Sequence, residues 1–266
     1  MLRTVLTIAL LMIAAPARAE TAAPCSPCEV AEGYYLAAAP PDWDGKTPLS
    51  LVVYFHAWGK APQNVVGFEP LIAPLHERGA LVIAPFARIG YWRQIGEGRH
   101  EGGRDEAAYV RRILADVKRR WPIDESRVLA SGFSRGASLV WNLACYEGDL
   151  FTAYAPFSGG FWRSTPKECP TGPVALRHVH GRKDPIVAYD EVGLYDSAPI
   201  TEGIALFRRV NASSQLAAEA KRGKRVCRRW EGEAPLELCL HQGGHWFPPG
   251  WLAESYDWML ERATKN

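Results

Sequence analysis

The chain has 266 residues, 47% of them hydrophobic and 23% charged, with a formal net charge of +2. That is enough apolar material for one large core. The near balance of charge gives no support for nucleic-acid binding as its main role, and beyond the N-terminus no stretch is apolar and long enough to insert stably in a membrane.

In chain order, residues 1–19 read as a cleavable export signal. Arg3 supplies the positive start, the apolar run 5–15 is too short to span a bilayer comfortably, and Ala17-Arg18-Ala19 gives the small-x-small cleavage pattern. Its removal takes away Arg3 and Arg18 and leaves a formal charge of about zero. A secreted or periplasmic destination is oxidising, so the six cysteines are expected in disulfides. Residues 20–32 form a Cys/Pro-containing leader, in which Cys25 and Cys28 read as a local bridge. Residues 33–266 read as one domain, with no internal repeat, low-complexity tract or linker.

Strands are expected at 33–38, 50–56 and 80–85, with a helix near 69–78. The clearest helix is 105–121, where Val110, Ile113, Leu114, Val117 and Trp121 share one face. A strand at 127–132 leads into a helical run at 137–146. Further strands are expected at 152–157 and 174–180, then a helix at 204–221. Two strands, 225–230 and 236–241, flank Glu231-Gly232-Glu233-Ala234-Pro235 and bring Cys227 and Cys239 into position to pair. The basic residues Lys221, Arg222, Lys224 and Arg225 read as a solvated turn between helix and strand, and 251–262 is a closing helix. This alternation implies a mostly parallel sheet with helices on both faces.

The chemistry sits at three strand ends. Gly132-Phe133-Ser134-Arg135-Gly136 joins strand to helix in a turn so sharp that only small residues fit around the serine. The strand 174–180 ends in Gly181-Arg182-Lys183-Asp184-Pro185, an aspartate in a tight turn. The strand 236–241 ends in a Gly243-Gly244 loop carrying His245. Serine, aspartate and histidine in that order suit acyl transfer: the imidazole takes the serine proton and the carboxylate orients the ring. Ser134 as a mere helix cap, and Asp184 as a turn residue, are the plainer readings. Asp190 and Asp196 are rival acids, and His178, His180 and His241 are rival histidines within strands. An oxyanion also needs donors. The amide of Arg135 is one. The other belongs to the turn His56-Ala57-Trp58-Gly59, with Trp58 the first choice and Ala57 the next.

Taken together, several runs resemble the secreted α/β-hydrolases grouped as polyhydroxybutyrate depolymerase-like and feruloyl-esterase-like. They are 48–59 (Pro-Leu-Ser-Leu-Val-Val-Tyr-Phe-His-Ala-Trp-Gly), 104–110 (Arg-Asp-Glu-Ala-Ala-Tyr-Val) and 121–128 (Trp-Pro-Ile-Asp-Glu-Ser-Arg-Val). The elbow at 132–136 follows, then 151–160 (Phe-Thr-Ala-Tyr-Ala-Pro-Phe-Ser-Gly-Gly), 180–187 (His-Gly-Arg-Lys-Asp-Pro-Ile-Val) and 244–248 (Gly-His-Trp-Phe-Pro). The resemblance spans roughly residues 33–252. It implies an α/β-hydrolase fold, Ser134, Asp184 and His245 as a triad, and no cofactor; it also favours a Cys145–Cys169 bridge. Ala57 and Ala137 stand where that family usually has glycine.

Among ten tryptophans, Trp92, Trp162 and Trp246, with Phe133 beside the serine, are expected to wall the substrate site. The histidines show no paired ligand spacing, so no metal is expected. The expected function is a serine esterase acting on hydroxyalkanoate esters or oligomers. The alternatives are a feruloyl or acetyl carbohydrate esterase, another acyl hydrolase such as a peptidase, and a non-catalytic binding module on a hydrolase scaffold.

Overall fold

A computed structural model describes residues 25–95 and 103–263. The expected export signal, 1–19, and the first part of the leader lie outside the described residues. The described chain forms one ten-stranded sheet. Its strands are β1 (Cys28–Val30), β2 (Gly33–Ala38), β3 (Leu49–Phe55), β4 (Ala80–Pro85), β5 (Ile123–Phe133), β6 (Ala153–Phe157), β7 (Leu176–Gly181), β8 (Leu216–Arg222), β9 (Arg225–Trp230) and β10 (Leu236–His241). They lie in the order β1-β2-β4-β3-β5-β6-β7-β10-β9-β8. The six strands from β4 to β10 pair in parallel, and antiparallel strands close both edges.

The parallel strands are continuous apolar runs because both faces are covered. In β3, Leu51, Val53 and Phe55 enter one core while Val52 and Tyr54 enter the other. The first core is covered by α3 (Glu106–Arg120), α4 (Arg135–Tyr146) and α5 (Ile200–Val210). The second is covered by α1 (Gln63–Val66), α2 (Glu69–His76) and α6 (Gly250–Ala263). Helix α3 starts where Asp105 accepts a hydrogen bond from the Ala108 amide. Its apolar stripe, from Val110 to Val117, packs on the sheet. Among the described residues no helix is long and apolar enough to cross a membrane.

Three sequence expectations change. The predicted helix 204–221 is a helix only to Val210; Leu216–Arg222 is an edge strand paired to β9. Ala217, Ala218 and Ala220 carry helical propensity, but a tertiary demand ends the helix. Buried Asn211 bonds both the amide and the carbonyl of Val174, 3.1 and 2.8 Å away, and fixes the approach to β7. The basic run is therefore a hairpin turn between two strands, through Gly223 at φ 57°. The end of the 20–32 stretch is also built into the sheet, as β1. The three bridges are Cys25–Cys28, Cys145–Cys169 and Cys227–Cys239. The last joins directly opposed residues of β9 and β10.

Candidate active site

Central strand β5 ends at Phe133, and α4 begins at Arg135. Ser134 turns between them with φ 56° and ψ −122°, a conformation that costs a non-glycine residue roughly 1–3 kcal/mol. Its amide is held by the Phe157 carbonyl at 3.0 Å. Gly136 permits the crossing: a Cβ there would stand 2.0 Å from the Phe55 carbonyl oxygen. Helix α4 thus lies directly on the end of β3, just before His56, Ala57 and Trp58. The hydroxyl of Ser134 makes no cap bond to its helix. It donates instead to Nε2 of His245, 2.8 Å away.

The other ring nitrogen of His245 donates to Oδ2 of Asp184 at 2.7 Å. Asp184 is buried in the turn after β7, and its Oδ1 accepts from the amides of Ile186 and Val187 at 2.9 and 3.0 Å. Burial alone raises a carboxyl's pKa. Here the hydrogen bond and charge of His245, the nearby His180 and the Val187 amide outweigh it and hold Asp184 below the usual carboxylate range. The ring of His245 lies 4.9 Å from that of Phe133. The three candidate side chains, far apart in sequence, therefore form one hydrogen-bonded line. Asp190 and Asp196 are exposed on the loop beyond.

The strand histidines are packed inward. His178 bonds the Pro156 carbonyl at 3.0 Å and His180 at 3.1 Å, and His180 reaches the Val187 carbonyl at 2.8 Å. Burial drives both away from the charged form, His180 to a pKa of about 4. They brace the Asp184 turn. His241 is also buried, and its Nδ1 accepts from the Gly243 amide at 3.1 Å.

The His245 loop rests on backbone. The amides of Arg182 and Lys183 donate to the carbonyls of His241 and Gly243, at 2.8 and 3.0 Å. A Cβ on Gly181 would meet the Gly244 carbonyl oxygen at 2.2 Å. Cys239 belongs to β10, the strand that launches this loop.

The expected aromatic walls separate into three groups. Phe133 lines a cavity of about 330 Å³ with Tyr54, Phe68 and Phe247, beside Ala57. Trp162 is half-buried and donates to Ser138 Oγ at 2.8 Å. Trp92 is not a wall: it is fully buried, donates to the His56 carbonyl at 2.8 Å and packs edge-on against Phe55. It supports the turn expected to hold the oxyanion donors. Trp246 faces away, into a separate cavity of about 690 Å³ shared with Trp251, His241 and Arg225. Alternation of side chains and loop direction decide these sides, and an aromatic letter carries neither. Sequence reasoning also missed Phe247, in the Phe133 cavity, and Tyr91 and Tyr195, whose ring centres lie 5.1 and 5.9 Å from that of Trp58. Phe247 had a signal, two residues after His245; the two tyrosines had none.

The Arg135 amide stands at the start of α4, one residue past Ser134. The Trp58 amide lies in the turn after β3, which Gly136 brings against the elbow. The Arg135 side chain is buried. Its Nε donates to the Trp92 carbonyl at 2.7 Å, and its guanidinium lies 4.4 Å from the Trp162 ring centre and 5.4 Å from that of Tyr91. Cys227, Cys239 and Glu237 are the one metal-like cluster among the described residues, but both thiols are in the disulfide.

A mainly parallel sheet, helices on both faces, a strained serine elbow, and acid and histidine on later strand ends define the α/β-hydrolase fold. Solved structures agree: the acetyl xylan esterase from Aspergillus awamori superposes with a TM-score of 0.63 at 13% identity, over 86% of this chain and 94% of that one. No family model matches the sequence. Among curated proteins, the probable feruloyl esterase C of Aspergillus niger is 28% identical over 163 residues, 59% of this chain and 56% of that protein. The probable feruloyl esterase C of Aspergillus terreus is 26% identical over 225 residues, 79% and 75% of the two chains. The chain thus spans little more than half the length of the first of these relatives.

Proposed function

We propose that this protein is a serine carboxylic-ester hydrolase working through an acyl-enzyme, on feruloyl or acetyl esters carried by carbohydrate. The observation that carries the chemistry is the unbroken line from Ser134 through His245 to Asp184. As the Ser134 oxygen attacks the ester carbonyl, Nε2 of His245 takes its proton, and Asp184 stabilises the resulting imidazolium. Charge gathers on the carbonyl oxygen, where the amides of Arg135 and Trp58 are the proposed donors; losing one such donor costs about 100- to 1,000-fold in rate. His245 then returns the proton to the leaving alcohol, and a water repeats the cycle to release the acid.

The relatives turn the substrate away from the hydroxyalkanoate esters first expected and towards the carbohydrate alternative. The cavity between Phe133, Phe68 and Phe247 supports an aromatic or small acyl group, being apolar-walled and adjacent to the serine. The three disulfides support export to an oxidising compartment, and residues 1–19 are the proposed signal. Methyl ferulate, nitrophenyl acetate and hydroxybutyrate oligomers, compared head to head, test the substrate class; preference for the oligomers would overturn it. Equal behaviour of wild type and Ser134→Ala on all three would sink the enzyme reading in favour of a binding module.

A further inference from the structure

We propose that the rings of Trp58, Tyr91, Tyr195 and Trp162 form a carbohydrate platform that holds the alcohol side of the ester. The proposal rests on the esterase reading above and assigns the half of the substrate that reading leaves open. Ser134 has two sides. On one, Phe133 leads into the mainly apolar cavity it shares with Phe68 and Phe247. On the other, Arg135 lies against Trp162 and Tyr91, and from there the rings run on without a break. Ring centres are 5.1 Å apart for Trp58 and Tyr91, 5.9 Å for Trp58 and Tyr195, and 6.1 Å for Tyr195 and Trp162.

The two middle rings of the row are open to solvent, and Tyr91 and Trp162 at its ends are half-buried. Trp58 is 54% exposed and Tyr195 65%. Ile89, Val192 and Leu194 on the same loops are also among the exposed large apolar residues. Such a concentration beside a reactive serine marks a binding surface. The loop bearing Tyr195 is fixed in place. Tyr195 and Asp196 hold φ of 59° and 58°. Buried Ser197 bonds the Ile186 carbonyl at 3.1 Å and bridges to Trp162, and the Gly193 amide reaches the Ser197 carbonyl at 3.0 Å. Strained positions held this firmly mark a loop that presents its side chains in one arrangement.

The chemistry of the strip selects a sugar over a polyester. Asp190, Glu191 and Asp196 are exposed among the apolar residues. A polyester offers only acceptors, so pressing it on these carboxylates strips their water and returns no donor. A sugar offers hydroxyl donors to the carboxylates and C–H faces to the rings. Trp58 is tilted by 39° against Tyr91 and 49° against Tyr195, whereas Tyr195 and Trp162 lie 20° apart; the row thus has facets for successive sugar units and not one flat film-binding face.

The test uses Ser134→Ala protein, which binds without turnover, in affinity gels containing arabinoxylan and in sedimentation with polyhydroxybutyrate granules. Arabinoxylan is expected to retard it. Adding Tyr195→Asn, a residue suited to positive φ, is expected to weaken that binding about tenfold, the order of one good aromatic contact. Trp58→Ala, on a separate loop, gives the same reading independently of how the 186–197 loop folds. Trp246→Ala, an exposed ring off the platform, is expected to change nothing. No retardation, equal weakening by Trp246→Ala, or binding only to granules would each overturn the platform. Hydrolysis of methyl ferulate and nitrophenyl acetate by wild type, run in parallel, keeps the two readings apart. Turnover without polysaccharide binding removes the platform alone, and binding without turnover removes the esterase alone.

Discussion

Strands β7 and β10 lead to two acid–base pairs that look alike and differ in exposure. Arg177 and Glu237 stand opposite each other within the sheet, 2.7 Å apart, with Ser255 of α6 bonded to the same guanidinium at 2.8 Å. A few residues on, past the ends of the same strands, Asp184 and His245 pair at the same distance. The inner pair is sealed. The outer one leaves the imidazole side chain 18% exposed, with one nitrogen turned to a serine. An arginine stays protonated and serves as a fixed cation; an imidazole at a strand end, open on one side, can gain and lose a proton each turnover. Position along two neighbouring strands thus separates holding the sheet together from the proton transfer proposed for His245.

The contrast can be broken from either end. Ser134→Ala is expected to cut kcat by about 10⁴- to 10⁶-fold and leave the unfolding midpoint nearly unchanged. Asp184→Asn, which removes the charge behind the imidazole, is expected to cost about 10⁴-fold in kcat. Steady-state kinetics beside thermal melts checks both. Glu237→Ala is expected to do the reverse: a loss of about 3–5 kcal/mol in urea unfolding, from stranding a buried guanidinium, with specific activity of the folded fraction kept. A large fall in that activity would mean that the two pairs are not separable. Replacing Cys227 and Cys239 by alanine is expected to cost about 2–3 kcal/mol and, if the bridge braces the His245 loop, to raise the activity loss on mild heating before global unfolding.

The remaining expectation concerns pH dependence. Burial lowers His180 from 6.5 to about 4 and lowers His178 as well. Below pH 6.5 the unfolded chain takes up protons that the folded chain refuses, so stability falls as the pH drops towards about 4, by up to about 1.4 kcal/mol per unit for each ring. Asp184, held low, adds its own loss only at still lower pH, below its ordinary 3.8. Melts of wild type and His180→Gln across this range check the sign: the variant should show the shallower slope.

Much of this organisation was legible in the residues. Continuous apolar runs marked the parallel strands, and the glycines around Ser134, the Gly-Asp-Pro turn and the Gly-Gly loop marked the three strand ends where the triad candidates meet. What escaped was set by partners far along the chain. Asn211 ends α5 because Val174 needs it, so an alanine-rich stretch becomes edge strand β8. Trp92 is drawn under the His56 carbonyl and Trp246 turns outward, although both sit in loops beside motif residues. Tyr195 gained its place from a left-handed loop that carries no glycine at that position to announce it.

The meeting of Gly181 with Gly244 has a consequence for descent. Where main chain rests on main chain, the approach of the two turns that carry carboxylate and imidazole is set at that point by backbone and not by side-chain bulk. The proposed walls at Phe68, Phe247, Val192 and Tyr195 can then drift, exchanging one proposed acyl or alcohol group for another, while the two turns keep their approach. A lineage built on this contact can change diet without relearning how to cut.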